Sequence, residues 1–253
     1  QAPHTIKCGE YQRALRFLQV SHPELWKFVN PDAHGMCFCD ACDQFRGEPM
    51  CATFERGESM ACKLCQENKK HLKHKHLKQC AKSCSMYAIP SGWQRFALRA
   101  GGEQAAAIGA FDRWHVAFHG THFDSLVPIL TSGQLAKPGD TVVVSADTVK
   151  TLGIRDGHIP KPFKRRNEHC PGVRETFDPN QIFFSPTIKY CECSAYTTPT
   201  QWNDPATDKA HSVKAIFQLR VLPGSYSVGP STSGSFDVSP FDKSEVEWYS
   251  TDA

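Results

Sequence analysis

The sequence predicts a mixed α+β fold with a β-sheet core and short helices, preceded by a small cysteine-rich segment. Strand-like alternation of apolar and polar residues dominates the second half of the chain. A regular βαβ spacing and a glycine-rich dinucleotide fingerprint are both missing from the sequence, which argues against a Rossmann fold. The 253 residues, 40% hydrophobic and 22% charged, have an ordinary globular composition. No apolar run reaches the ~20 residues of a membrane span, so we expect no membrane partner.

The first 86 residues are predicted to form a segment of their own. Residues 9–30 carry apolar side chains at helical spacing, and Pro23 suits the first turn of a helix. The cysteine-rich stretch that follows has few aliphatic residues, so we expect a metal to supply its order. Residues 1–86 are therefore predicted to contain a helix and a Cys/His-rich zinc-binding segment, and residues 87–253 to form the main domain.

The cysteines are clustered, which favours local Zn2+ sites over a disulfide network. Two C-x2-C pairs separated by 19 residues have the spacing of a four-thiolate zinc site, and they are Cys39, Cys42, Cys62 and Cys65. Further candidate ligands, for a second site or as replacements, are Cys37, Cys51, His71, His74, His76, Cys80 and Cys84. Four of the 12 cysteines lie outside this cluster, namely Cys8, Cys170, Cys191 and Cys193. Disulfides remain the alternative for a secreted protein.

The basic run at residues 69–78 stands out in a chain whose net charge is only +3. Such a run is most often a solvated helix face, but clustered Lys and His beside zinc knuckles also suit phosphate contacts. The sequence begins at Gln1 and not at methionine, so we read it as a processed or excised chain from which any targeting signal would be missing. We expect an intracellular location, in the cytoplasm, nucleus or mitochondrion.

The main domain is predicted to alternate strands with short helices. Residues 114–121 read as a buried strand that ends in a polar turn, with His115, Ala117 and His119 on one face. A helix is expected over 123–132, capped by Thr121 or Asp124 and ended by Gly133. Residues 100–112 look like a linker and 153–180 like a long loop. Strands are predicted at 141–145, 181–184, 213–221 and 245–249, and a short helix at 190–196.

Three sequence motifs of this domain resemble motifs of a known protein family. They are His-Gly-Thr at 119–121, Phe-Phe-Ser-Pro-Thr…Tyr…Tyr at 183–196 and Glu-Val-Glu-Trp-Tyr at 245–249. In that order they resemble the ADP-ribosyltransferases, which implies a split β-sheet core of the ADP-ribosyltransferase-like (PARP-like) type. Gly92 to Arg99 and Trp114 to Gly120 make the chain most similar to the C-terminal region of the large neuralized-like proteins. The resemblance covers roughly 87–253. No neuralized repeat is present, so no ubiquitin-related role is implied.

The resemblance implies an NAD site. His119 would bond a ribose hydroxyl, Gly120 would hold the nicotinamide amide through its backbone, and Thr121 would add a hydroxyl bond. Tyr196, or alternatively Tyr190, would stack on nicotinamide. Two residues of the second piece complete the set, namely Phe183, which stands where many polymerases have tyrosine, and Ser185.

The catalytic carboxylate has two candidates. Glu245 and Glu247 would lie on one face of the last strand, about 7 Å apart. A carboxylate near the nicotinamide ribose would stabilise the positive charge that develops as the glycosidic bond breaks. The polymerase pattern favours Glu245 in this role. The toxin-like Glu-x-Glu pattern favours Glu247, which we take as catalytic with Glu245 auxiliary.

These features lead to the expectation of an NAD-dependent ADP-ribosyltransferase with a zinc module, acting on a protein or on DNA or RNA. Transfer of a single ADP-ribose is expected, because no elongation loop is evident in the sequence. One alternative is an RNA 2′-phosphotransferase of the same fold, against which the Glu-x-Glu strand argues. The other is a catalytically inactive, zinc-dependent nucleic-acid or protein-binding module.

Overall fold

The prediction of a mixed α+β fold is confirmed. The computed structural model describes residues 8–33, 35–39, 42, 49–51, 86–88, 90–99, 102–137, 139–145, 148–151, 181–194, 196–229, 231 and 246–250. These residues form short helices and several antiparallel sheets. Within this part of the chain, every helix is too short or too polar to cross a bilayer.

The helices of the described residues have four to eight residues each. They are α1 (Gly9–Arg16), α2 (Pro23–Trp26), α3 (Gly102–Ala107), α4 (Ala110–Arg113), α5 (Leu126–Ser132) and α6 (Ile188–Cys191). A π-helical turn (Phe17–Ser21) joins α1 to α2, and a 3-10 turn (Phe123–Ser125) precedes α5. Pro23 opens α2 as predicted, and Gly133 ends α5 with a left-handed φ of 71°.

The strands are short and pair in antiparallel fashion. In chain order they are β1 (Met36–Cys37), β2 (Pro49–Cys51), β3 (Met86–Ala88), β4 (Gln94–Arg95), β5 (His115–Gly120), β6 (Thr141–Ser145), β7 (Thr148–Thr151), β8 (Ile182–Phe184), β9 (Thr200–Asp204), β10 (Lys209–Val213), β11 (Ile216–Val221), β12 (Ser227–Gly229) and β13 (Glu247–Ser250). The pairs are β1 with β4, β2 with β3, β6 with β7, β9 with β10 and β5 with β11, while β13 lies between β8 and β12.

Two of these sheets are joined through a single bridge. The backbone N–H of Phe118 donates to Ser185 O at 2.8 Å, and the N–H of Ser185 returns a bond to Phe118 O at 2.9 Å. The strand order across both sheets is therefore β11-β5-β8-β13-β12. We call this array the central sheet.

The two faces of the central sheet have separate cores. Val116 and Phe118 pack with Ile188 and Cys191 of α6, and this side is called the α6 face. Ala117 packs with Phe184 and Trp248 on the opposite side, which is called the Trp248 face. Because successive side chains of a strand alternate between faces, the register assigns every residue of β5, β8 and β13 to one of them.

The amino-terminal helices pack onto later parts of the chain. The guanidinium of Arg16 donates two bonds to the carboxylate of Asp204 in β9, at 3.2 and 2.7 Å. This ion pair lowers the pKa of the Asp204 carboxyl well below its usual range. Trp202 donates its indole N–H to Ser21 Oγ at 2.7 Å. These contacts cross the predicted boundary near residue 86; the division into two domains itself stays a prediction.

Several predicted local elements were wrong. Residues 102–107 and 110–113 are helical and not a linker, which fits the high helix propensity of alanine. The helix predicted at 190–196 is α6, which ends at Cys191, where the Thr197 hydroxyl donates to Cys191 O. No side-chain cap bond is made at the start of the 3-10 turn or of α5, so neither Thr121 nor Asp124 caps them. The predicted strand 213–221 is interrupted between β10 and β11.

Candidate functional site

The three motifs that carry the family resemblance include residues on neighbouring strands of the central sheet. His119 and Gly120 end β5, Phe183 lies in β8, and Glu247 begins β13. The Phe118–Ser185 bridge joins the first two strands, and Phe183 pairs with Tyr249 across the last two. Segments more than 60 residues apart in sequence thus meet in one sheet.

Glu247 lies at the centre of a buried cluster of hydroxyls. Its side chain is on the α6 face and only 1% exposed. Tyr190 of α6 donates its hydroxyl to Glu247 Oε2 in a short bond, and Tyr196 donates to the same oxygen at 2.9 Å. The two tyrosine hydroxyls also lie 3.0 Å apart. Tyr190 and Tyr196 were predicted to stack on nicotinamide. In the structure both donate hydrogen bonds to Glu247, the residue that was predicted to be catalytic.

His119 lies at the end of β5 on the Trp248 face, opposite to Glu247. Its Nδ1 donates to the carbonyl oxygen of Phe183 at 2.7 Å. Burial lowers the pKa of His119 below its ordinary value, although the bond to Phe183 acts in the other direction. A neutral ring with its proton on Nδ1 leaves Nε2 as a hydrogen-bond acceptor, to which a hydroxyl group could donate.

Gly120 is required by close protein packing. A Cβ at this position would lie 2.5 Å from Cys191 O, 2.7 Å from Thr197 Oγ1 and 2.8 Å from Tyr196 Cβ. The glycine was predicted to bring the backbone close to a ligand, and in the structure it brings β5 close to the segment that follows α6. This approach places Tyr196 beside β5 and within reach of Glu247.

The remaining predicted NAD-binding residues flank this region. By alternation Phe183 lies on the α6 face, where its ring is 6.4 Å from that of Tyr249. Ser185 is fully buried, and its hydroxyl accepts the backbone N–H of Thr187 at 3.2 Å. Thr121 is buried just beyond β5. The structure therefore brings Gly120, Phe183, Ser185 and the tyrosines to the face that holds Glu247. His119 lies on the opposite face.

Cys191 is a buried thiol in the same region that the predictions did not include. Its Sγ donates to Phe118 O at 3.0 Å, and burial raises the pKa of the thiol far above its ordinary value. A buried, protonated thiol is a poor nucleophile, so its contribution is to pack α6 against β5.

A second group of candidate residues lies around helix α1. The sulfurs of four cysteines all lie within 4.8 Å of one another, so they could hold a metal ion such as zinc; they are Cys8, Cys37, Cys39 and Cys42. No disulfide joins them. The backbone N–H of Tyr11 donates to the sulfur of Cys8 and lowers the pKa of that thiol to about 7. Burial raises the pKa of Cys37, and hydrogen bonding with Cys8 raises that of Cys42 to about 11.

The cysteine cluster includes part of the predicted ligand set. Cys37, Cys39 and Cys42 were predicted as ligands, whereas Cys8 was placed outside the cluster and was missed. Its separation of 29 residues from Cys37 matches no knuckle spacing, and only the folding of α1 brings it near.

Several predicted residues lie outside the part of the chain that the structure describes, so their roles stay predictions. They are Glu245, Cys62, Cys65, His74, Cys80 and Cys84, together with the basic run 69–78 and the loop 153–180. The side chain of Cys51 belongs to the same group.

No family model matches the chain, and no solved structure matches it with significance.

Proposed function

We propose that the protein is an NAD-dependent ADP-ribosyltransferase that transfers a single ADP-ribose to a protein or nucleic-acid acceptor and releases nicotinamide. The observation that carries the proposal is the meeting of the three resembling pieces on adjacent strands, with Tyr190 and Tyr196 bonded to Glu247. The split antiparallel sheet, whose halves meet at the Phe118–Ser185 bridge, supports an ADP-ribosyltransferase-like core.

The proposed chemistry is cleavage of the bond between nicotinamide and ribose. Positive charge develops on the ribose as nicotinamide leaves, and a fixed carboxylate stabilises it. Phe183 and the tyrosines offer aromatic surface for nicotinamide, and Nε2 of His119 offers an acceptor for a ribose hydroxyl. Glu247, fully covered by its tyrosines, reaches substrate only if Tyr190 and Tyr196 move. Because Glu247 is buried, Glu245, two residues earlier, is the alternative candidate for the catalytic residue.

The test is label transfer from radioactive NAD, with protein, DNA and RNA offered separately as acceptors. Glu245→Gln, Glu247→Gln and the double variant are compared with Glu103→Gln, which changes an exposed glutamate of α3. We expect the control to keep full transfer and the double variant to lose at least about 100-fold, as when a transition-state electrostatic partner is removed. The single variant with the larger loss identifies the catalytic carboxylate. Undiminished transfer by the double variant contradicts the proposal.

A second candidate function is an inactive transferase fold that serves as a zinc-dependent binding module. The burial of Glu247 behind two tyrosines favours it, because a carboxyl closed to solvent is also closed to substrate. This candidate predicts no NAD binding by calorimetry, together with a gel shift of DNA or RNA that weakens steeply with salt. Measurable NAD binding without retardation of either nucleic acid would favour the transferase.

A further inference from the structure

We propose that Cys8, Cys37, Cys39 and Cys42 form a closed four-thiolate zinc site that fastens the start of helix α1 to strand β1. The inference is independent of the proposed transferase activity. It also changes the predicted ligand set, because Cys39 and Cys42 then complete their site with Cys8 and Cys37 and not with Cys62 and Cys65.

The spacing of the sulfurs fits a tetrahedral ion. Cys8 Sγ lies 3.4 Å from Cys39 Sγ and 3.4 Å from Cys37 Sγ, and all four sulfurs lie within 4.8 Å of one another. Zinc–sulfur bonds of ~2.3 Å in a tetrahedron place the sulfurs about 3.8 Å apart. A disulfide would require a distance of about 2.05 Å. Small shifts of the side chains are therefore enough to enclose one ion.

Local backbone structure holds each thiol in place. Cys8 is the residue before α1, and its carbonyl accepts the N–H of Gln12 at 3.0 Å. Cys37 belongs to β1 and pairs with Gln94 of β4. The N–H of Cys42 donates to Cys39 O at 2.9 Å, which forms the tight turn expected of a zinc knuckle.

Neighbouring groups donate hydrogen bonds to the sulfurs, as outer-shell groups do in metal sites. The backbone N–H of Tyr11 donates to Cys8, and that of Cys39 donates to Cys37. The side-chain amide of Gln94 lies 4.0 Å from Cys37 Sγ.

The ligand chemistry selects a structural zinc. Four soft thiolates in a tetrahedron suit zinc or an iron–sulfur centre. The four cysteines, which we call the tetrad, fill all four positions around one ion and leave none open for water or substrate. The thiols that would join the two elements are only partly covered, since Cys42 is exposed and Cys8 and Cys37 are half-buried. An ion bound here would therefore hold α1 beside β1 and β4.

The test is metal content of the purified full chain by mass spectrometry, with cobalt substitution as a second readout. Cys8→Ser is expected to lose about one zinc per chain, whereas Cys193→Ser, a half-buried cysteine outside the tetrad, loses none. Cys8→His restores the ion, because histidine is also a zinc ligand, and shifts the visible absorption of the cobalt form. This variant keeps the test decisive if Cys8→Ser does not fold.

The assignment of ligands is tested by a double variant. If the tetrad is complete, Cys62→Ser removes either no zinc or a different zinc, so Cys8→Ser with Cys62→Ser loses the sum of the two single losses. Hydrogen exchange of α1 should rise in Cys8→Ser and not in Cys62→Ser. Full zinc content in Cys8→Ser, or iron in place of zinc, would overturn the proposal. So would a zinc loss in Cys62→Ser that equals the loss in Cys8→Ser and does not add to it in the double variant.

Discussion

The central sheet and the cysteine tetrad position their polar groups by different means. In the sheet, Glu247 and its tyrosines are enclosed by apolar neighbours such as Ala88 and Val246. In the tetrad, Cys42 is exposed and only Cys39 is buried. Apolar burial thus encloses the Glu247 cluster, whereas the sulfurs of the tetrad are only partly covered.

This difference indicates what each region depends on. Burial stabilises a folded chain by about 25 cal/mol per Å² of apolar surface, so the sheet needs no ligand to hold its geometry. A cluster of thiols repels its own thiolate forms, and a bound cation removes that repulsion. Changes to apolar packing should therefore damage the sheet and leave metal content unchanged, whereas loss of metal should loosen the start of α1 near Cys8 and leave the sheet intact.

The largest effect is expected from Phe118→Ala. Phe118 is 1% exposed and packs against Tyr87, Ile188 and Cys191. Its truncation removes a buried ring and leaves a cavity, so the free energy of unfolding should fall by about 3–5 kcal/mol. Urea unfolding followed by tryptophan fluorescence measures this change.

The matched control for this change is Phe111→Ala in α4, where the side chain is 38% exposed. It should cost at most about 1 kcal/mol. Both variants, while folded, should carry as much zinc as the wild-type chain. Zinc loss in folded Phe118→Ala would show that the two regions are not separately held and would remove the contrast between them.

A smaller loss is expected from Gly120→Ala. The added methyl group would meet Cys191 O at 2.5 Å and Thr197 Oγ1 at 2.7 Å, and a backbone atom cannot move aside cheaply. Overpacking of this kind costs about 1–3 kcal/mol. The segment after α6 should shift and carry Tyr196 away from Glu247, which near-ultraviolet circular dichroism would detect.

Gly102→Ala serves as the control, since nothing lies within 4 Å of a Cβ at this position of α3. It should be neutral or should stabilise the protein by up to about 1 kcal/mol, as alanine favours helix. If Gly120→Ala proved equally harmless, the close approach of β5 to the segment after α6 would not be required for the fold.

Much of the secondary structure after residue 86 was predictable because its signals are local. Alternation in β5, the run of β-branched residues in β6 and the glycine after α5 each act within a few residues, and these elements were found as expected. The β9–β10 hairpin was not predicted. Its polar sequence has little alternation, and it is held by Arg16 and Ser21, which lie more than 180 residues away.

The candidate sites show the same limit. Cys37, Cys39 and Cys42 were recognised from their spacing, but Cys8 joins them only through the placement of α1. The order of His119, Phe183 and Glu247 pointed to one site, whereas the opposite faces of His119 and Glu247 follow from strand register. Register depends on pairing between distant segments and cannot be read from one strand alone.

The pH dependence of stability gives a third test of the buried sheet. Burial lowers the pKa of His115 and of His119, so the folded state resists protonation at both positions. Below about pH 6.5 the unfolded chain takes up protons that the folded chain does not. The free energy of unfolding should therefore fall as the pH drops from 7.5 to 5.5, by at most about 1.4 kcal/mol per pH unit for each histidine.

His119→Asn isolates the contribution of one histidine, because asparagine keeps a donor for Phe183 O and does not titrate. Urea unfolding at three pH values should give a shallower slope for this variant than for the wild-type chain. Asp204 does not contribute in this range, since its lowered pKa affects stability only below about pH 5. Equal slopes would contradict a protonation-resistant His119.

A smaller effect than those above is expected from Tyr190→Phe, which removes one of the two hydroxyls that donate to Glu247 Oε2. Because Tyr196 still donates to that oxygen, the loss should be about 0.5–1.5 kcal/mol, the net value of a single hydrogen bond. Tyr196→Phe should cost less, since Tyr196 is only half-buried and its hydroxyl is more easily replaced by water.

The informative readout for both variants is NAD binding by calorimetry. If the tyrosine hydroxyls keep Glu247 closed to substrate, their removal should strengthen NAD binding despite the lower stability. If the tyrosine rings stack on nicotinamide, the change to phenylalanine should leave NAD binding unchanged. Weaker NAD binding in Tyr190→Phe would contradict both and would give the hydroxyl itself a role in the site.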